Sequence, residues 1–178
     1  MIKRRNIFYT GGCNKRRNFQ FAWEIYGDTY TSIKNHALMI EARSGHAICN
    51  FKNVIYVFGG NSSNDMRSAE KFDFCQTWEL IAPLNQGKHK ASCIIQKDHI
   101  YIAGNYSADI DIYHPETNSY EVISSVLSHL KFSPQMINVS DQLYILHWTD
   151  FLRINCDRSK CEQLLTNLPR TRLLDWWS

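Results

Sequence analysis

A short β-rich run that ends in small residues recurs along the chain and constrains its fold more than any other feature. Copies occur at Ile7–Gly12, Val54–Gly60 and His99–Gly104, with a degenerate fourth at Gln142–His147. Taking Gly12, Gly60, Gly104 and His147 as the equivalent positions, the spacings are 48, 44 and 43 residues. A repeat of this length indicates that one supersecondary unit is used several times.

Each run is followed by two further strand-like segments. After Gly60 these are Ala69–Asp73 and Trp78–Ile81, and after Gly104 they are Ile110–Pro115 and Tyr120–Ile123. The segments alternate polar and apolar residues and are separated by turn residues, a pattern typical of antiparallel strands. Because periods of about 40–50 residues mark four-stranded propeller blades, the sequence predicts an all-β propeller of about four blades.

The repeat boundaries predict a single domain over residues 1–178. It divides into a partial repeat at about 1–42 and repeats at 43–86, 87–129 and 130–169, with 170–178 left as a possible closing strand. The first repeat begins at its second strand. The segment Arg170–Trp177 resembles an opening strand, so we expect it to complete the first blade and remove an exposed edge.

Two sets of residues are expected to have structural roles in the repeat. Glycines at strand ends permit positive φ and close backbone approach; they are Gly11, Gly12, Gly59, Gly60 and Gly104. Phe72, Trp78, Tyr113 and Tyr120 supply large aromatic area to bury between blades. Tyr26 is a further structural position of the repeat.

The best copy of the repeat, at residues 43–86, has enough characteristic residues to be compared with a known family. It opens on Arg43-Ser44-Gly45-His46, continues through Ile55–Gly60 with its double glycine, and then has Phe72-Asp73 and Trp78. This order resembles the kelch repeat, and the resemblance covers nearly the whole chain. The last copy departs from it, because its glycines are lost and Cys161 stands where tryptophan is usual. Kelch propellers more commonly have six blades, so a partial ring is the alternative to a closed four-bladed one.

Composition excludes several classes of protein. The net charge of +3 is too small to indicate nucleic-acid binding, and no apolar run is long enough to span a membrane. No apolar stretch of secretory length follows the first basic residues, which predicts a cytoplasmic or possibly nuclear protein with six free cysteines.

The sequence does not predict an enzyme, a metal site or a cofactor. The seven histidines form no spaced zinc pair, and Cys156 and Cys161 lack a second pair of ligands. A structural role is expected for His46. The basic triplets Lys3–Arg5 and Lys15–Arg17 mimic a split nuclear-import signal or could contact phosphates, but a solvated tail and a solvated loop between strands are the favoured interpretation.

The resemblance implies a protein-binding module that grips its partner with loops at one mouth of the ring. The matching positions after the glycines, or opening each repeat, are Arg43, Asn61, Lys88, Asn105, Lys131, Trp148 and Arg170, together with Cys13. A basic mouth would favour an acidic or phosphorylated segment. A ubiquitin-ligase adaptor and an actin-associated structural protein are the alternatives, a propeller enzyme is less favoured, and homo-oligomerisation is left open.

Overall fold

The fold was obtained as a computed structural model. It describes residues 6–26, 32–61, 67–75, 77–105, 107, 109–124, 133–147, 150–155 and 160–165. These ranges contain fifteen β-strands and no helix, and hence no helix long and apolar enough to cross a membrane.

The strands form four sheets in chain order. The first contains β1 (Ile7–Thr10), β2 (Ala22–Tyr26) and β3 (Ser32–Asn35). The second contains β4 (Ala47–Phe51), β5 (Val54–Phe58), β6 (Ala69–Phe72) and β7 (Glu79–Ile81). The third contains β8 (His89–Gln96), β9 (His99–Asn105), β10 (Ile110–His114) and β11 (Ser119–Ile123). The fourth contains β12 (Gln135–Val139), β13 (Gln142–His147), β14 (Asp150–Asn155) and β15 (Lys160–Leu165).

Every strand pairs antiparallel with the next strand in its own sheet. The first sheet has three strands, and its β1, like β5, ends at a pair of glycines. The prediction of an all-β protein with four-stranded antiparallel blades is therefore confirmed. Residues 170–178 lie outside the described part of the chain, so closure of the ring by this segment stays a prediction.

Tight hairpins join the first two strands of the later sheets. Positive φ occurs at Lys52 (50°) and Asn53 (65°), and again at Ser140 (50°) and Asp141 (62°). A two-residue turn in which both residues have a left-handed backbone conformation has the same twist as the two strands that it joins. These turns set the strand registers, which end at Phe51↔Val54 and Val139↔Gln142.

The hairpins correct the repeat alignment of the third blade. Its first hairpin closes at Gln96↔His99, so His99 corresponds to Val54 and Gly104 corresponds to Gly59. The sequence comparison had matched Gly104 with Gly60. Gly104 lies within β9, whereas Gly59 and Gly60 follow β5 with φ of 64° and 97°. The double-glycine bend of the second sheet is therefore not repeated in the third.

Three hydrophobic clusters join consecutive sheets. The first lies between the first and second sheets and includes Phe72 and Trp78. The second lies between the second and third sheets, where Tyr113 is buried and Tyr120 packs against the cluster. The third joins the third and fourth sheets. Neighbouring residues of one strand enter opposite clusters, as strand geometry requires; on β9, Ile100 and Ile102 face the second sheet while Tyr101 and Ala103 face the fourth.

Candidate functional site

Connections from different sheets meet at one end of the strands. Because strand direction alternates, the loop between the second and third strands of a blade and the loop leading into the next blade lie at the same end. We call this end the mouth surface and define it by residues 11–21, 36–46, 59–61 and 82–88.

Backbone hydrogen bonds tie these loops to one another across the sheets. Gly12 N donates to Arg43 O at 3.0 Å, and Gly60 N donates to Lys88 O at 2.8 Å. Asn61 N donates to Ser44 O at 2.7 Å. Because each glycine bend is bonded to the first residues of the following repeat, the mouth surface is held by main-chain contacts between blades.

Arg43 lies beneath this surface and is fully buried. Its Nη1 donates to Gly59 O at 2.8 Å and to Ser68 O at 3.0 Å, and its Nη2 donates to Glu70 Oε1 at 2.6 Å. The guanidinium therefore holds the bend after β5 to the start of β6. Buried charges require such pairing because desolvation is costly.

Glu70 is also fully buried and extends this network to the connection between the first two sheets. Its carboxylate accepts hydrogen bonds from Ile40 N at 2.7 Å and Glu41 N at 3.0 Å. A single ion pair thus links residues 40–43, the glycine bend and β6.

The third sheet repeats the arrangement with different residues. Lys88 and Asp111 are both fully buried, with Nζ 3.2 Å from Oδ2, and Lys88 Nζ also donates to Asp109 O at 2.6 Å. Burial lowers the pKa of Lys88 and raises the pKa of Asp111, and the attraction between the two charges opposes both shifts. Arg43–Glu70 and Lys88–Asp111 are therefore equivalent pairs of neighbouring repeats.

These positions correct the expected basic rim. The resemblance placed Arg43 and Lys88 at the mouth as partner-binding residues, yet both side chains are buried and neutralise strand carboxylates. Asn61 is exposed on the mouth surface and Asn105 is partly buried at the end of β9. Lys131, Trp148 and Arg170 lie outside the described residues, so their expected roles stay predictions.

The exposed positive charge of the mouth surface comes from Lys15, Arg16 and Arg17 instead. They lie in a turn within the β1–β2 loop, in which Asn14 Oδ1 accepts hydrogen bonds from the backbone N–H groups of Arg16 and Arg17, both at 2.9 Å. Asn14 N donates to Arg17 O at 3.0 Å. An Asx turn of this kind fixes the backbone locally, so the loop presents its cations from a defined conformation.

Polar contacts attach this basic turn to the second sheet. Asn18 Nδ2 donates to Asn61 O at 2.5 Å, and Ser44 Oγ donates to Asn18 Oδ1 at 3.0 Å. The Arg17 guanidinium lies 5.6 Å from the centre of the Phe19 ring, within cation–π distance. The basic turn and the exposed Asn61 therefore form one continuous surface, which includes a position singled out from the sequence.

His46 lies just below this surface and has a structural contact. Its Nε2 is 2.7 Å from Thr10 Oγ1 in a hydrogen bond between the first two sheets. Burial and the nearby Arg43 charge lower the pKa of His46 to about 4. Within the ranges described above, no three His, Cys, Asp or Glu side chains are grouped as metal ligands.

The lowered pKa of His46 predicts acid sensitivity. The unfolded state binds a proton near pH 6.5 and the folded state near 4, so the contribution of His46 to stability is complete above 6.5 and is lost as pH falls towards 4. Between pH 7.5 and 5.0 we expect this site to remove about 2 kcal/mol from the free energy of unfolding.

Urea denaturation at the two pH values measures the effect, with His46→Gln as the reference protein because it has no titrating ring. The wild type should lose about 2 kcal/mol more than the variant. Equal losses in the two proteins would show that His46 does not titrate in this way.

Comparison with known proteins agrees with the blade architecture. The family model described as the Kelch motif matches residues 42–85, which span the end of the loop before β4 and the whole second sheet. Kelch-like protein 25 of Xenopus tropicalis is 22% identical over 174 residues, covering 88% of this chain and 29% of the relative. The human Kelch-like protein 25 is 25% identical over 117 residues, covering 60% and 20%.

A plant protein gives a further match. The F-box/kelch-repeat protein SKIP20 of Arabidopsis thaliana is 28% identical over 94 residues, covering 46% of this chain and 22% of the relative. The chain spans less than a third of the length of these curated relatives. Four consecutive antiparallel sheets, the second and third with equivalent buried ion pairs, define a propeller built from repeated blades. The chain is therefore similar to kelch-repeat proteins, with the Kelch motif itself matched in its second sheet.

Proposed function

We propose that this chain is a non-catalytic protein-interaction module that binds a partner protein at its mouth surface. The observation that carries the proposal is the basic turn of residues 14–17, which is exposed, hydrogen-bonded internally and attached to the second sheet through Asn18. A surface that is already ordered loses little conformational entropy on binding. The kelch relatives support an interaction role for the fold.

An acidic or phosphorylated segment is the partner chemistry that fits this surface. Lys15, Arg16 and Arg17 offer adjacent positive charges, and carboxylate or phosphate oxygens accept strong charge-assisted hydrogen bonds from such groups. With Arg43 and Lys88 neutralised inside the protein, the described cations able to act at the mouth belong chiefly to this turn. Binding through it should weaken as salt concentration rises.

Charge reversal in the basic turn tests the proposal. We expect Lys15→Glu/Arg16→Glu to reduce capture of the main partner about tenfold or more. The mouth surface would then repel an acidic partner that it attracts in the wild type. The tagged chain and the variant would be purified from native cells and their partners quantified by mass spectrometry. Both side chains are exposed, so the melting temperature should be unchanged.

Lys34→Glu/Lys97→Glu is the matched control. It reverses two exposed charges outside the mouth surface, one on β3 and one in the β8–β9 hairpin. This control should retain the partner. Equal capture by wild type and by the basic-turn variant would reject the mouth surface as the binding site.

A substrate-recognition role within a ubiquitin-ligase adaptor is the second candidate. It is favoured by similarity to a relative whose name pairs an F-box with kelch repeats. Ubiquitin-ligase subunits recovered with the wild type would support it. If the recovered partner were filamentous actin, co-sedimentation with filaments would favour the structural alternative instead.

A further inference from the structure

Two cysteines face each other across the interface between the second and third sheets. Cys49 lies on β4 and Cys93 on β8, the first strands of consecutive blades. Cα atoms of these two strands approach within 8 Å. Both cysteines have free thiols, and both are only partly buried. Neighbouring blades therefore place two free thiols on adjoining strands.

The alternation of side chains directs the two thiols towards one another. Ala47, Cys49 and Phe51 leave β4 on one face, and Cys93 leaves β8 on the same face as Ala91 and Ile95; all contribute to the hydrophobic cluster between the second and third sheets. The Cys49 side chain is within hydrogen-bonding reach of the Cys93 thiol. A disulfide requires this kind of facing arrangement, with short separation between the two Cβ atoms.

We propose that Cys49 and Cys93 form a reversible disulfide in the presence of a peroxide, linking the second and third blades. The Cys49 thiolate attacks a peroxide oxygen, the O–O bond breaks and hydroxide leaves, which produces a sulfenic acid. The Cys93 sulfur then attacks the Cys49 sulfur and the S–O bond breaks. The departing hydroxide takes the Cys93 proton, so one hydrogen peroxide is reduced to two waters as two thiols are oxidised.

We place Cys93 at the second step because its thiol is held in the protonated form, which leaves the first step to Cys49. The hydrogen bond with Cys49, followed by burial, raises the pKa of Cys93 well above its usual value. Cys93 therefore stays protonated at neutral pH and serves as the resolving thiol. The rate of cross-linking should rise with pH, because Cys49 attacks the peroxide as a thiolate.

The cross-link would stabilise the fold by closing a long loop. Between the two cysteines lie β5, β6 and β7 and the connection into the third sheet. Joining its ends restricts the unfolded chain, and native disulfides of this kind stabilise substantially. We expect oxidation to raise the melting temperature by about 5–10 °C, and a thiol reductant should reverse the rise.

Peptide mapping of the oxidised full chain tests the proposal. The variant Cys13→Ser/Cys75→Ser/Cys156→Ser/Cys161→Ser leaves only the pair, and it would be treated with hydrogen peroxide and digested with trypsin without reduction. We expect residues 44–52 and 91–97 to appear as one linked species that lacks two hydrogen atoms, and to separate on reduction. Adding Cys49→Ser should abolish both the linked peptide and the thermal shift.

Two results of this experiment would contradict the disulfide proposal. Linked peptides that are absent from folded, peroxide-treated protein, with both sulfurs recovered as thiols or as sulfinic acids, would overturn the proposal. A linked peptide that forms only between two chains, seen as a covalent dimer, would also overturn it. Neither outcome bears on partner binding at the mouth surface, because the cysteine pair lies outside the basic turn.

Discussion

Replacing Arg43 with alanine is expected to lower the free energy of unfolding by about 3–5 kcal/mol. The variant leaves the Glu70 carboxylate fully buried without its cation, and it removes donors to Gly59 O and Ser68 O. An uncompensated buried charge costs far more than a lost surface contact. Urea denaturation followed by circular dichroism measures the change.

Two comparisons make this prediction specific to the buried pair. Lys34→Ala removes an exposed charge from β3 and should change the free energy of unfolding by no more than about 0.5 kcal/mol. Lys88→Ala should behave like Arg43→Ala, because it leaves the buried Asp111 carboxylate without its cation. If Arg43→Ala lost less than about 1 kcal/mol, the ion pair would not contribute as the geometry implies.

Gly60→Ala is expected to destabilise the fold by about 3–5 kcal/mol. Gly60 has a φ of 97°, which is outside the left-handed region open to other residues. An added Cβ would lie 2.8 Å from Ser44 O and 2.9 Å from His46 Cβ. The backbone of the second sheet would have to separate from the start of its own repeat, and thermal or urea denaturation would register the loss.

Gly45→Ala supplies the matched glycine control. Gly45 has a φ of 62°, which other residues can adopt at modest cost, and the nearest atoms to an added Cβ belong to the His89 side chain rather than to the backbone. We expect a loss of only about 1 kcal/mol there. Similar losses at Gly45 and Gly60 would contradict the argument from close backbone approach.

The blade architecture could be predicted because it depends on local signals repeated along the chain. Alternating strands and the glycines at strand ends mark each blade, and the period at which they recur gives the number of blades. The register of the third blade could not be predicted from glycines alone. The hairpin at Lys97, with a φ of 53°, aligns this repeat, and the glycine of β9 does not.

The candidate site was harder to predict because the charge of a residue does not show whether its side chain points into the protein or toward solvent. Arg43 and Lys88 were placed at the mouth because the kelch resemblance puts the residues that open each repeat there. The missed signal is a carboxylate at the same position of the third strand in two successive blades, Glu70 in β6 and Asp111 in β10. Each has a cation on the segment that opens its blade. The pairing of Cys49 with Cys93 likewise depends on how two blades pack, and spacing along the chain did not reveal it.

The joining of consecutive sheets has a consequence for synthesis on the ribosome. Each described hydrophobic cluster draws its residues from two successive blades, so its partners are close in the chain. The cluster between the first two sheets is complete once Trp78 has left the exit tunnel. Domains emerge from the N-terminus at about 5–20 residues per second, so packing can begin while later blades are still being translated. Force-profile measurements on arrested nascent chains should therefore show successive folding steps about one blade apart.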